Sequence, residues 1–171
     1  VGGGGMMVLG QVTEILVLFL IPFVAAKWSR KTLLGIGLLA YAVRMFLFAE
    51  VEGVMQSIGI PNMVTLLVGV SLHGLCFGCF IFVAFMIVDE ECTGDVKATA
   101  QNLFNLVIVG IGIVVGSLFT TMLVGEWATP EGATVPVFDK LFLVPMYMAI
   151  GCLLLLLAFY PSRKELSERT A

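Results

Sequence analysis

Leu9-Gly10-Gln11-Val12-Thr13-Glu14-Ile15-Leu16-Val17-Leu18-Phe19-Leu20 decides the solvent in which this chain folds. Apolar residues continue on both sides, over 6–26. That is long enough to cross about 30 Å of hydrocarbon, which takes about 20 helical residues. Yet the stretch carries a carboxylate, an amide and a hydroxyl. An ionisable side chain at membrane depth is expensive unless it faces a protein interior or a watery cavity, and a membrane helix that keeps one is a candidate for transport work. Gln11 and Glu14 are three residues apart and therefore share a helix face. The pair is the candidate core of a solute or proton site, with the other helices as its walls.

Composition supports a bilayer as solvent. Hydrophobic residues make up 60% of the 171 residues and charged residues 12%, where a soluble domain is about a quarter charged. Mean hydropathy is +1.08. Further apolar runs at 32–49, 62–88, 98–125 and 139–160 give an all-α integral membrane protein of five transmembrane helices. With connections this short, residues 1–171 form one bundle and no soluble domain. Val1 is no initiator, and the glycines at 2–5 lack the basic start and cleavage site of a signal peptide, so the chain reads as a piece of a longer one. The net charge of −3 says little about partners beyond the lipid bilayer, and no nucleic-acid partner is expected.

Orientation follows from the cations. Lys27, Arg30 and Lys31 fall between the first two runs, Lys97 before the fourth, and Arg163, Lys164 and Arg169 after the fifth. These seven of nine Lys and Arg mark the cytoplasmic side by the positive-inside rule. The chain therefore starts outside and finishes inside. Asp89, Glu90, Glu91 and Asp95 make the second inner loop acidic, which matters little to that rule; Asp95 is either a cap for the helix starting near Val96 or part of a salt-bridge gate.

Polar residues inside the runs are the remaining candidates. Arg44 lies at a depth similar to Glu14 on the next, antiparallel helix, by a count of about 1.5 Å per residue. It either pairs with Glu14 or reaches outward past Glu50. His73 is the lone histidine; imidazole suits proton relay near neutral pH, and a histidine that simply donates a hydrogen bond within the bundle is the alternative. Gly74 and Gly78, and further along Gly112 and Gly116, are small-xxx-small pairs that let helices approach closely. The second pair suits a fourth helix packed on several neighbours. Gln101 and Asn105 share a face and read as interhelical hydrogen-bonding amides. Cys76 and Cys79 have redox or metal spacing, but without a second ligand pair they read as small packing residues. Leu153 to Leu157 reads as a lipid-facing surface. No metal and no cofactor are expected, and a nucleophile with its base, needed for an enzyme, is missing.

Several of these stretches resemble the nucleoside–proton symporters of the major facilitator superfamily. Gln11-Val12-Thr13-Glu14-Ile15-Leu16 and Ile21-Pro22-Phe23 are similar to that family's eighth helix. The likeness continues, in order, through Arg44-Met45-Phe46-Leu47-Phe48-Ala49, Leu72-His73-Gly74-Leu75-Cys76-Phe77, Val88-Asp89-Glu90 and Ala98-Thr99-Ala100-Gln101. The resemblance implies helices eight to twelve of a twelve-helix fold, whose N-terminal half lies elsewhere. It implies a proton-coupled nucleoside carrier in the bacterial cytoplasmic membrane, with Gln11 and Glu14 binding nucleoside. Phe77 and Phe80 would stack on the base, core packing being their other reading. Glu14, Arg44 and His73 become candidates for proton coupling. The sequence departs from the bacterial permeases at Gly78, where they carry an aspartate. That departure leaves a sugar or metabolite carrier as the first alternative and a non-transporting membrane subunit as the second.

Overall fold

A computed structural model describes residues 3–131 and 137–161, the first two of these by backbone alone. The tail cations Arg163, Lys164 and Arg169, and Pro136, lie outside the described residues. Among the described residues six helices follow in order: α1 (Gly3–Ala25), α2 (Arg30–Ala49), the short α3 (Val54–Ser57), α4 (Asn62–Glu91), α5 (Lys97–Ala128) and α6 (Phe138–Phe159). All but α3 are long and apolar enough to cross a membrane, which makes five spans.

Lipid tails are as apolar as leucine, so burial alone does not draw these helices together; close packing and interhelical hydrogen bonds do. The α2 helix is the hub. In its apolar window 44% of residues are buried, against 6% in α5. Near the end that bears Lys27 and Arg30, Leu33 and Leu34 of α2 pack with Ile21 and Ala25 of α1 and Cys79 and Val83 of α4. Towards the other end, Ala42 and Met45 pack with Met146 and Ala149 of α6. Glycines set the crossings. A Cβ on Gly37 would lie 2.8 Å from the Phe80 backbone nitrogen, and one on Gly74 would lie 2.5 Å from the Thr13 carbonyl oxygen. The α4 backbone is thus pressed against α2 at one glycine and against α1 at the other.

The α4 helix is irregular where it is most crowded. Ser71 Oγ donates to Leu67 O at 2.8 Å, a back-bond that tends to bend helices. The regular pattern lapses at Leu72 and resumes at His73. Phe77–Phe82 then forms a widened π turn, a feature that shifts the azimuth of everything after it.

The basic end is closed by polar groups. Ser29 caps α2 by accepting from the Thr32 amide at 3.1 Å. Arg30 and Lys31 occupy the first turn of α2, where the helix dipole disfavours cations. Each is satisfied from elsewhere. Arg30 holds both Glu90 carboxylate oxygens and donates to Ala25 O at 3.2 Å. Lys31 Nζ donates to Leu157 O at 2.9 Å and Tyr160 O at 2.7 Å, supplying donors to carbonyls at the end of α6. Lys97 and Gln101 of α5 both reach Asp89, at 3.0 and 3.2 Å, so Gln101 is an interhelical amide.

Three expectations are corrected. Asp95 caps nothing: Val96 occupies the cap position without a side-chain bond, and Thr93 O receives the amides of Val96 and Lys97. The turn that starts α5 is closed by backbone, which leaves the carboxylate free of that task. Gly112 and Gly116 do not pack α5 on several helices among the described residues. A Cβ on Gly116 would meet nothing within 4 Å, and one on Gly112 only Val107 O of its own helix. The firm contacts of α5 are at its ends, where Phe85 and Phe104 meet edge-on at 5.0 Å and Lys140 lies 5.6 Å from the Trp127 ring centroid. Finally, Leu153 and Leu156 face Gly35 of α2, at 3.7 and 3.9 Å from its would-be Cβ. Only part of the 153–157 run is an outer surface.

Gly74→Ala is expected to destabilise the protein by about 1–3 kcal/mol, the usual penalty of an overpacked contact, since its neighbour is backbone that has no rotamer to yield. Gly35→Ala, whose Cβ meets only ordinary contacts, is the matched control and is expected to be neutral. Thermal unfolding in detergent compares them. Glu90→Gln is expected to lower stability by less than about 1 kcal/mol, because its ion pair is part-exposed; a larger loss in the same assay would show a desolvated pair.

Candidate functional site

The approach of Gly74 to Thr13 and Glu14 places the residues flanking that contact side by side. Glu14 Oε2 of α1 lies 3.6 Å from His73 Nε2 of α4. This is within ion-pair range and just beyond a hydrogen bond. On the opposite edge of the imidazole, Arg44 Nη1 of α2 lies 2.9 Å from His73 Nδ1. A line of three ionisable groups therefore runs α1–α4–α2 through the bundle. The Glu14 and His73 side chains keep 25% and 38% of their surface accessible.

Arg44 meets neither alternative read from the sequence. It does not pair with Glu14 and does not reach past Glu50, because His73 stands between α1 and α2 and takes the guanidinium first. Depth along the helix was the right criterion for bringing the carboxylate and the cation to one level, but azimuth assigned the partner. Arg44 also lies over the Phe48 ring, 5.3 Å from its centroid, a cation–π contact. Its Nε is buried without a partner among the described residues.

The remaining candidates distribute around this line. Gln11 is exposed, one turn before Glu14 on α1. Phe77 is 36% exposed, with its ring centroid 6.5 Å from that of His73. It lines a cavity of about 390 Å³ between α2, α4 and α6 together with Arg44 and His73, and neither Gln11 nor Glu14 is part of that lining. Gly78, the departure that left the substrate open, faces α1: any Cβ there would lie 2.5 Å from Val17 Cγ1. It serves the helix contact. Cys79 belongs to the core, and Cys76 is a free thiol at the cavity wall. Among the described residues no group of three or more His, Cys, Asp or Glu comes together to hold a metal.

Sequence reasoning missed Tyr41 and Pro145, which line the same cavity. Tyr41 had a legible signal, since it lies three residues before Arg44 and shares its face. Pro145 had none, because its role comes from α6 packing on α2. Thr13 was counted among the polar groups of the first run, yet its hydroxyl turns back to Gly10 O at 2.8 Å and is locally satisfied.

Comparison with known proteins identifies the family. The sequence profile described as nucleoside H+ symporter matches residues 3–165. The nucleoside permease NupG of Escherichia coli is 27% identical over 131 residues, covering 75% of this chain and 29% of that protein. The putative nucleoside transporter YegT of the same organism is 27% identical over 114 residues, covering 66% of this chain and 25% of YegT. Its xanthosine permease is also 27% identical over 114 residues, covering 67% of this chain and 26% of the permease. A crystal structure of a single-residue mutant of NupG superposes with a TM-score of 0.77 at 23% identity, over 91% of this chain and 37% of that one. The chain thus spans between a quarter and a third of the length of the curated relatives it matches. It is a multi-pass membrane protein, and its membrane is the bacterial inner membrane. With the profile running over nearly the whole sequence and the helices following the fold of a solved nucleoside transporter, the chain belongs to the nucleoside H+ symporter family.

Proposed function

We propose that this chain is the C-terminal bundle, helices eight to twelve, of a proton-coupled nucleoside transporter, and that it works with an N-terminal half of the same protein. The observation that carries the reading is the Glu14–His73 contact of 3.6 Å inside a membrane bundle. An accessible carboxylate at that depth has a function to perform, since it would otherwise be selected against. The family match adds the class of cargo. Such a protein moves a solute and does not transform it.

In this reading Gln11 and Glu14 meet the nucleoside's hydroxyls and base edge, for which an amide and a carboxyl group supply both donors and acceptors. Phe77 offers a ring face to the base. Glu14 takes up a proton while the transporter is open to the outside. Substrate binding then favours closure, rocking of the two halves exposes the site inward, and loss of the proton to the higher internal pH resets the carrier. His73, the immediate neighbour of that carboxylate, and Arg44 on the far side of the imidazole condition the proton step. Gly78 supplies no carboxylate to the site, and it is the nucleoside H+ symporter profile over residues 3–165 that favours a nucleoside over a sugar or metabolite as cargo.

Uptake of radiolabelled uridine and adenosine by the full transporter in vesicles tests this. Wild-type uptake is expected to require an inward proton gradient. Glu14→Gln is expected to reduce it about tenfold or more, the equivalent of a lost charged hydrogen bond of about 1.5–3 kcal/mol. Gradient-independent uptake unaffected by the substitution would remove Glu14 from the mechanism.

A further inference from the structure

The two nitrogens of His73 have different neighbours. Nδ1 lies 2.9 Å from Arg44 Nη1, whereas Nε2 faces Glu14 Oε2 at 3.6 Å. A guanidinium has only donors, so Arg44 donates in this bond and Nδ1 must present its lone pair. The ring proton then resides on Nε2, on the Glu14 side. A doubly protonated ring would oppose one N–H to another at Arg44. Among the described residues, the titratable and charged groups around the ring come from four helices. From α1 the ionisable group facing the ring is Glu14, from α2 it is Arg44, with Tyr41 on the cavity wall, and α4 adds the Cys76 thiol. On α6 the titratable cavity residue is Cys152.

We propose that Arg44 is a positioning residue that fixes the tautomer of His73 and so keeps the transported proton on Glu14. This rests on the reading of Glu14 as the coupling carboxylate. His73 is then a hydrogen-bond donor to Glu14 and never its proton acceptor. When Glu14 is ionised, Nε2–H points at a carboxylate oxygen, and a small approach of α1 and α4 completes the bond. When Glu14 is protonated, its O–H finds no lone pair on the imidazole and must donate to the solute or to water. The proton enters from water onto a carboxylate oxygen and leaves the same way, with the ring proton staying on Nε2 throughout. Loading the proton thereby creates a donor for the cargo, which links protonation to binding.

The placement of Arg44 supports a role beyond stability. Its Nε is buried without a partner among the described residues, and an apolar side chain there would avoid that penalty. The residue is nonetheless held in place over the Phe48 ring.

Nitrogen-15 NMR of the full transporter in lipid, with ring-labelled histidine and a His73→Gln sample to identify the His73 signals, tests the tautomer directly. The wild type is expected to show a neutral, Nε2-protonated ring across the pH range in which uptake changes. An imidazolium or an Nδ1-protonated ring in that range would overturn the proposal, and this reading needs no Arg44 variant to fold. Arg44→Met, which removes the donor, is expected to yield mixed or doubly protonated rings and to add a second ionisation to the pH profile of uptake. Arg44→Lys, which keeps a donor, is expected to restore the wild-type spectrum. An unchanged ring in folded Arg44→Met would also overturn it. The spectrum reports on the imidazole and not on transport, so uptake indifferent to Glu14→Gln would defeat the coupling reading separately.

Discussion

The contact between the Gly74 Cα and the α1 backbone at Thr13 and Glu14 is the constraint from which the site follows. A would-be Cβ at 2.5 Å from a carbonyl oxygen means that α1 and α4 meet backbone to backbone, with no side chain to space them. In lipid this is how helices gain affinity, because tight van der Waals contact is one of the few terms that lipid tails do not already supply. The consequence here is chemical as well as mechanical. His73 precedes the glycine and Glu14 is part of the surface it touches, so the closeness of the helices sets the distance between imidazole and carboxylate. Val17 against Gly78 continues the same seam about one turn further along. A larger residue at Gly78 would open that seam, and the line of ionisable groups would widen with it.

The basic end shows the opposite solution. There the helices are held by long side chains reaching between elements, and several of these bonds involve partly exposed groups. Such pairs contribute little each, and they loosen more readily than a glycine seam. Lys31 is the best placed of them, since it neutralises the dipole at the end of α6 while belonging to the start of α2, where a cation is otherwise unwelcome. One end of the bundle is thus adjustable and its middle is rigid. That division suits the rocking of two halves proposed for the full transporter.

Much of this was legible in the residues and some was not, for identifiable reasons. Five spans follow from hydropathy because the bilayer forces every backbone polar group into a helix. Glu14, Arg44 and His73 stood out because they are ionisable groups inside apolar runs. Which of them touch was not legible. Sequence position gives depth, at a fixed rise per residue, but azimuth accumulates every local irregularity. The lapse at Leu72 and the widened turn at Phe77–Phe82 both fall inside the site, so an ideal helical wheel loses its phase in α4 where the question is asked. The same reasoning explains Asp95, whose capping depends on turn geometry that composition does not encode.

Arg44 is where stability and chemistry diverge most. A partly buried guanidinium with one unsatisfied N–H is poor engineering for a membrane bundle, and replacing a charged network by apolar residues often stabilises a protein. What the guanidinium supplies, and an aliphatic side chain cannot, is a permanent donor that never becomes an acceptor. A lysine would keep that donor, but as a compact, strongly hydrated charge on a flexible stem it would give up the guanidinium's contact over the Phe48 ring. The arginine therefore imposes direction on an otherwise ambivalent ring. In a line of three ionisable groups, a fixed donor at one end is enough to assign every proton along it, and that assignment leaves the carboxylate at the far end as the group free to change state.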